Sequence, residues 1–176
     1  FHWGFIYSNP DLISINLPLA FDIFHKALVI VVTLISKSES TANSAGNNEL
    51  LYTKIVLQIA RCFGKQNNHI AKLLWLENAK QKLLESPFKD SQLFFDLSYE
   101  SYLAYSRISD YSSVFEEFKK MSITNDISSR SQVRYFGSLA EFSFDLGKVK
   151  QTELLFNNGI QIAQMKSEDS DKEWIY

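Results

Sequence analysis

Apolar residues recur at three- and four-residue steps through nearly every long segment of this chain, and that period limits its folding options more than any other feature. Ala20, Phe24, Ala27, Val31 and Ile35 fall on one stripe of a helix that Pro18 suits as a first-turn residue, where its missing N–H is not needed. Two helices are predicted near 49–63 and 68–86, turning around Phe63-Gly64-Lys65-Gln66-Asn67-Asn68, with Ser86-Pro87 as a stop. Another two are predicted near 91–107 and 110–122, divided at Ser109-Asp110, and two more near 132–146 and 149–166, turning at Gly147. Ser170-Asp171-Lys172-Glu173 has the form of a capping box, as if a further helix starts there. The expectation is an all-α chain of about eight helices in irregular pairs. A first helical unit would occupy 1–37, a mobile polar linker 38–48, and three further pairs with the start of another helix 49–176. Six Gly and three Pro are too few for a loop-rich chain, and 45% hydrophobic residues suffice for a sizeable core.

Each second helix carries a small or short residue, an aromatic four positions on, and usually a small residue three beyond that. The instances are Ala20/Phe24/Ala27, Ala71/Trp75/Asn78, Val114/Phe118/Met121 and Thr152/Phe156/Gly159. Small side chains let a partner helix approach while the aromatic fills the space beside it, so Phe156 is expected in the core. The last two triplets stand 38 residues apart, and the same shift carries Phe136 onto Trp174; the earlier spacings are irregular. Helix pairs at a period of roughly 34 to 45 residues are the mark of an α-solenoid. On Phe136-x-x-Leu139-Ala140, Gly147 and Phe156-x-x-Gly159, and on Leu19-Ala20-Phe21-Asp22-Ile23-Phe24-His25-Lys26-Ala27-Leu28, the chain resembles the tetratricopeptide superfamily, taken broadly to include its half-a-TPR and pentatricopeptide relatives. Ser143 stands where that family usually has an aromatic and Thr152 where it has alanine. The resemblance implies helix pairs stacked as a solenoid, with first helices lining a concave groove.

Catalytic chemistry finds little footing. His2, His25 and His69 have no metal-ligand spacing, so neither a metal nor a cofactor is expected. Cys62 reads as a buried helix cysteine, and the six glycines never cluster into a phosphate cradle. Glu116-Glu117 and Asp169-x-Asp171 read as solvated acidic pairs. The uncharged run Ala27–Ile35 is nine residues, short of the ~18 to 20 that span a bilayer, so a buried helix is expected there. A lone cysteine and the absence of any Asn-x-Ser/Thr sequon favour a reducing intracellular compartment, cytoplasmic or nuclear. The ends, Phe1-His2-Trp3-Gly4 and Trp174-Ile175-Tyr176, read as cut from something longer.

Charge and aromatics supply the candidate contacts. Residues 54–89 hold seven Lys/Arg against two acids, whereas 90–176 hold nine against 14. Lys65, Lys72, Lys80 and Lys82 could form a basic patch for phosphates or an acidic partner, but the expected reading is an ordinary solvated face or contact with the acidic neighbouring pair of the same chain. Tyr99, Tyr102 and Tyr105 advance about 300° per step, so they cannot share one narrow stripe and at least one should face outward. Tyr52, Tyr99, Tyr102, Tyr105, Arg134 and Glu141, all on first helices, are the expected groove contacts. The expected function is a non-catalytic scaffold segment that binds a protein partner, or neighbouring domains, inside a larger intracellular protein. One alternative is the helical regulatory region of a large enzyme of the phosphatidylinositol-kinase-related kinase or separase type. The other is a pentatricopeptide-type organellar RNA binder, which would be mitochondrial; the net charge of −2 argues against it.

Overall fold

The computed structural model of the chain describes residues 17–37, 42–86, 90–121 and 126–167. Among them are seven α-helices and no strand: α1 (Leu17–Lys37), α2 (Ala42–Lys65), α3 (His69–Glu85), α4 (Ser91–Arg107), α5 (Tyr111–Lys120), α6 (Ser129–Asp145) and α7 (Val149–Ser167). The capping box at 170–173, and with it the expected eighth helix, lies outside the described residues. The chain divides into two compact units, Phe1–Lys120 and Met121–Tyr176.

The helix starts follow from caps written in the sequence. Asn68, Asp90 and Ser128 each accept, through the side chain, the backbone N–H three residues on, which satisfies a donor the first turn leaves open. Asp110 does the same for Ser113. One start departs from expectation. Residues 42–48, placed in the polar linker, are the first two turns of α2, and Gly46 is buried. A run of Ser, Asn and Gly is only a weak argument against helix, and packing overrides it.

In the first unit α1 packs on α2, α2 on α3, α3 on α4 and α4 on α5, and α2 also reaches α4. Ala20, Phe24, Ala27 and Val31 of α1 meet Ile55, Ile59 and Cys62 of α2 in one core cluster. The adjacent face of α2, through Val56, Leu57 and Ala60, forms a second cluster with Leu76, Ala79 and Leu83 of α3 and Leu93 and Leu97 of α4. Two buried faces make α2 the spine of this unit. The expected burial of α1 holds only for its inner stripe: Val29, Ile30, Val32 and Leu34 are exposed. Leu17–Ser36 is also long and apolar enough to cross a membrane by length and composition, a wider window than the uncharged run because it takes in Asp22 and Lys26, which pair with each other at 2.6 Å.

In the second unit α6 and α7 form an antiparallel pair. A Cβ built on Gly159 would stand 3.5 Å from Cβ of Phe136, so the two helices approach closely where the small residue was expected to allow it.

One turn recurs in all three pairs. Asn67, Ser109 and Gly147 take positive φ (57°, 60° and 72°). In each, the following residue's N–H closes back on a carbonyl five residues earlier: Asn68 on Phe63, Asp110 on Tyr105, Lys148 on Ser143, at 2.9–3.0 Å. That is the bond of a Schellman-type helix end. The turns are 42 residues apart from Asn67 to Ser109 and 38 from Ser109 to Gly147. This alignment corrects the α3 triplet by one residue. The positions equivalent to Val114/Phe118/Met121 are Lys72/Leu76/Ala79, all buried, whereas Ala71, Trp75 and Asn78 are not fully buried. In α7, Thr152 and Gly159 are buried, but Phe156 is 45% exposed and is no core ring.

Candidate functional site

The tyrosine-rich helix is core before it is groove. Tyr99 and Tyr102 are buried, in a run of ring contacts from Phe95 to Tyr99 (6.2 Å between centroids), Tyr99 to Tyr102 (5.7 Å) and Tyr102 to Phe118 (4.7 Å). Their drift around the helix does not expose them, because α4 packs against α2, α3 and α5 and is covered over a wide arc. The groove assignment of Tyr99 and Tyr102 is therefore corrected. Tyr105 is half-buried; burial, then the carboxylates of Glu77 and Glu117, push its phenol above the usual value.

Two of the four basic-patch residues are not on the surface. Lys72 donates to Glu100 Oε2 at 2.6 Å, and Arg61 Nε donates to Glu100 Oε1 at 2.8 Å. Lys80 donates to Glu117 Oε1 at 3.0 Å and also pairs with Glu77, while Lys120 reaches the same Glu117 oxygen at 2.9 Å. Lys72, Lys80, Glu100 and Glu117 are all buried. Burial alone would raise the Glu100 carboxyl, but the charges and hydrogen bonds of Lys72 and Arg61 outweigh it and hold the group below its usual range. The basic pair α2/α3 and the acidic pair α4/α5 thus meet each other, and Lys72 and Lys80 are taken up in these contacts. Lys65 and Lys82 are exposed.

Arg134 and Glu141 are exposed on α6, seven residues apart and so on nearly one face of that helix. They belong to the second unit, whereas the tyrosines belong to the first.

Tyr52 sits at a cleft. Val32 and Ile35 from α1, Glu49 and Tyr52 from α2, and Lys82 and Glu85 from α3 line a space of about 180 Å³. The Tyr52 hydroxyl donates to Asn78 Oδ1 at 2.9 Å, which fixes the ring, and Lys82 Nζ lies 5.9 Å from the ring centroid. Oε2 of Glu49 is shielded from solvent and has no hydrogen-bond partner. Sequence reading placed Tyr52 among groove contacts and Lys82 in a basic patch, and the fold brings the two together. Glu49, at the start of the helix predicted over 49–63, and Glu85 were not among the candidates; their spacing from Tyr52 and Lys82, one helical turn each, was the signal.

Of the other candidates, His2 lies outside the described residues. Burial pushes the Cys62 thiol up to about 11, so it is protonated at neutral pH. The His25 ring lies against Phe21, centroids 4.3 Å apart, and His69 opens α3, where burial, Lys72 and Arg107 lower its pKa. No protein-family model matches the sequence, and neither a curated protein nor a solved structure gives a significant match.

Proposed function

We propose that this chain is a non-catalytic helical-repeat scaffold segment, a stack of helix pairs of the tetratricopeptide-like α-solenoid kind, which holds a protein partner within a larger intracellular protein or complex. The observation that carries the reading is the recurrent turn, with one closing hydrogen bond at Asn68, Asp110 and Lys148. Contact between α2 and α4, the first helices of successive pairs, supports it, because stacked repeats meet their neighbours in this way. Burial of Lys72 and Lys80 in ion pairs weighs against the RNA-binding alternative, since it removes cations that counterion release would need.

The test is affinity capture on the immobilised 176-residue chain, with free chain as competitor. A partner protein should be retained, released by free chain, and lost when Tyr52→Ser and Val32→Ser are combined in a variant with unchanged melting. If no retained protein is released by free chain, the scaffold reading fails. A steep salt-dependent retention of single-stranded RNA in filter binding would replace it.

A further inference from the structure

The cleft between α1, α2 and α3 has a chemistry more specific than a scaffold surface requires. At about 180 Å³ it is smaller than the roughly 300–1,000 Å³ of a site for a cofactor or drug-sized ligand, and it matches one long side chain. One wall is aliphatic (Val32, Ile35), one is the Tyr52 ring, and the rim carries two carboxylates, Glu49 and Glu85, against one ammonium, Lys82. A solvent-shielded carboxylate oxygen without a donor, Oε2 of Glu49, is costly to leave unpaired.

We propose that this cleft accepts an arginine side chain of the partner protein, a proposal that rests on the scaffold reading and names what the scaffold would hold. The aliphatic stem packs along Val32, Ile35 and the Tyr52 ring, and the guanidinium fork meets Glu49 and Glu85. Arginine fits better than lysine because its planar donors match a carboxylate in pairs and its face stacks on an aromatic ring. The two glutamates leave one negative charge in excess of Lys82, an exposed residue whose Nζ, 5.9 Å from the ring centroid, the arginine would displace. Val29 lies one turn before Val32 on α1 and is 67% exposed, so an apolar residue flanking the arginine has a surface to rest on.

The experiment uses the whole 176-residue chain and three labelled peptides: Ala-Leu-Ala-Arg-Ala-Leu-Ala, its citrulline analogue and its norleucine analogue. Fluorescence anisotropy gives affinities, and amide shifts in heteronuclear NMR map the site. The arginine peptide should bind with shifts centred on Glu49, Tyr52, Lys82 and Glu85. Citrulline, an isostere without the charge, should bind about tenfold more weakly. Glu49→Gln should abolish that preference, and Glu85→Gln serves the same end should the first variant melt lower. Equal binding of all three peptides, shifts elsewhere, or no binding at millimolar peptide overturns the proposal. If Glu49→Gln still retains a competable partner while no arginine peptide binds, the pocket is wrong and the scaffold reading stands. If the peptide binds in the cleft and no partner competes, the pocket stands and the scaffold reading falls.

Discussion

Between α2/α3 and α4/α5 the chain buries Lys72, Lys80, Glu100 and Glu117, with Arg61 at the edge; in α6/α7 the buried polar positions are Ser131, Ser138, Ser143 and Thr152. The turns that close these pairs are alike, so the difference lies in what fills the helix faces. In the first unit a pair must fit against the next pair as well as within itself, and charge sets the fit. Glu100 on α4 receives donors from both α2 and α3, so a slide of one pair past the other would leave three charged groups without partners. Within α6/α7 small side chains and Gly159 let the backbones close instead. Removing one partner of a buried ion pair leaves an uncompensated charge, so the cost of a slip falls on charged groups in the first unit and on apolar and small-residue contacts in α6/α7.

The largest effect should come from breaking the charged set. Glu100→Ala leaves Lys72 buried without its carboxylate and should destabilise the chain by about 3–5 kcal/mol in urea or thermal unfolding. A loss below about 1 kcal/mol would mean the pairs are not dry. The same group gives a pH dependence. Its folded pKa is depressed, so its contribution is fully present above the unfolded-chain value, about 4.3, and is lost as pH falls through the lower folded value. The acid limb of the stability curve should flatten in Glu100→Gln.

A smaller effect separates two of the three tyrosines of α4. Tyr102→Ser removes a ring packed 4.7 Å from Phe118 and should cost roughly 3 kcal/mol. Tyr105→Ser, from a half-buried position, should cost below about 1 kcal/mol. Equal melting temperatures for the two variants would return Tyr102 to the groove.

Much of the fold was legible because it is punctuated locally. The boundaries of α4 matched at 91–107, since Asp90 caps one end and Ser109-Asp110 turns the other. Position within a helix was harder. Trp75 drew the α3 triplet one residue out of register, because a large aromatic reads as core, while the truly buried position beside Leu76 is occupied by Lys72. A buried lysine cannot be recognised until its carboxylate, 28 residues away on another helix, is placed beside it. Phe156 and Tyr102 failed in opposite directions for one reason: periodicity gives the face a residue occupies, and only the packing of neighbours decides how wide the covered arc is. The cleft was illegible for the same cause, since its six lining residues come from three helices.

The finest test of the comparison uses two glycines of the α6/α7 pair, one at its turn and one inside its second helix. Gly147 has φ 72°, in the left-handed region that the recurrent turn requires, and nothing crowds its missing Cβ. Gly147→Ala should therefore cost about 1 kcal/mol through the backbone alone. Gly159 lies inside α7 with ordinary helical geometry, and its missing Cβ would meet Phe136 Cβ at 3.5 Å, a normal packing distance. Gly159→Ala should stabilise the chain by about 0.5–1 kcal/mol, because alanine gives up less backbone freedom on folding and the contact is favourable. Opposite signs in two matched melting curves are the expected result. If Gly159→Ala instead lowers stability, α6 and α7 approach more closely than 3.5 Å at this point. The pair would then be as exacting about fit as the charged interface of the first unit, and the contrast between the two would disappear.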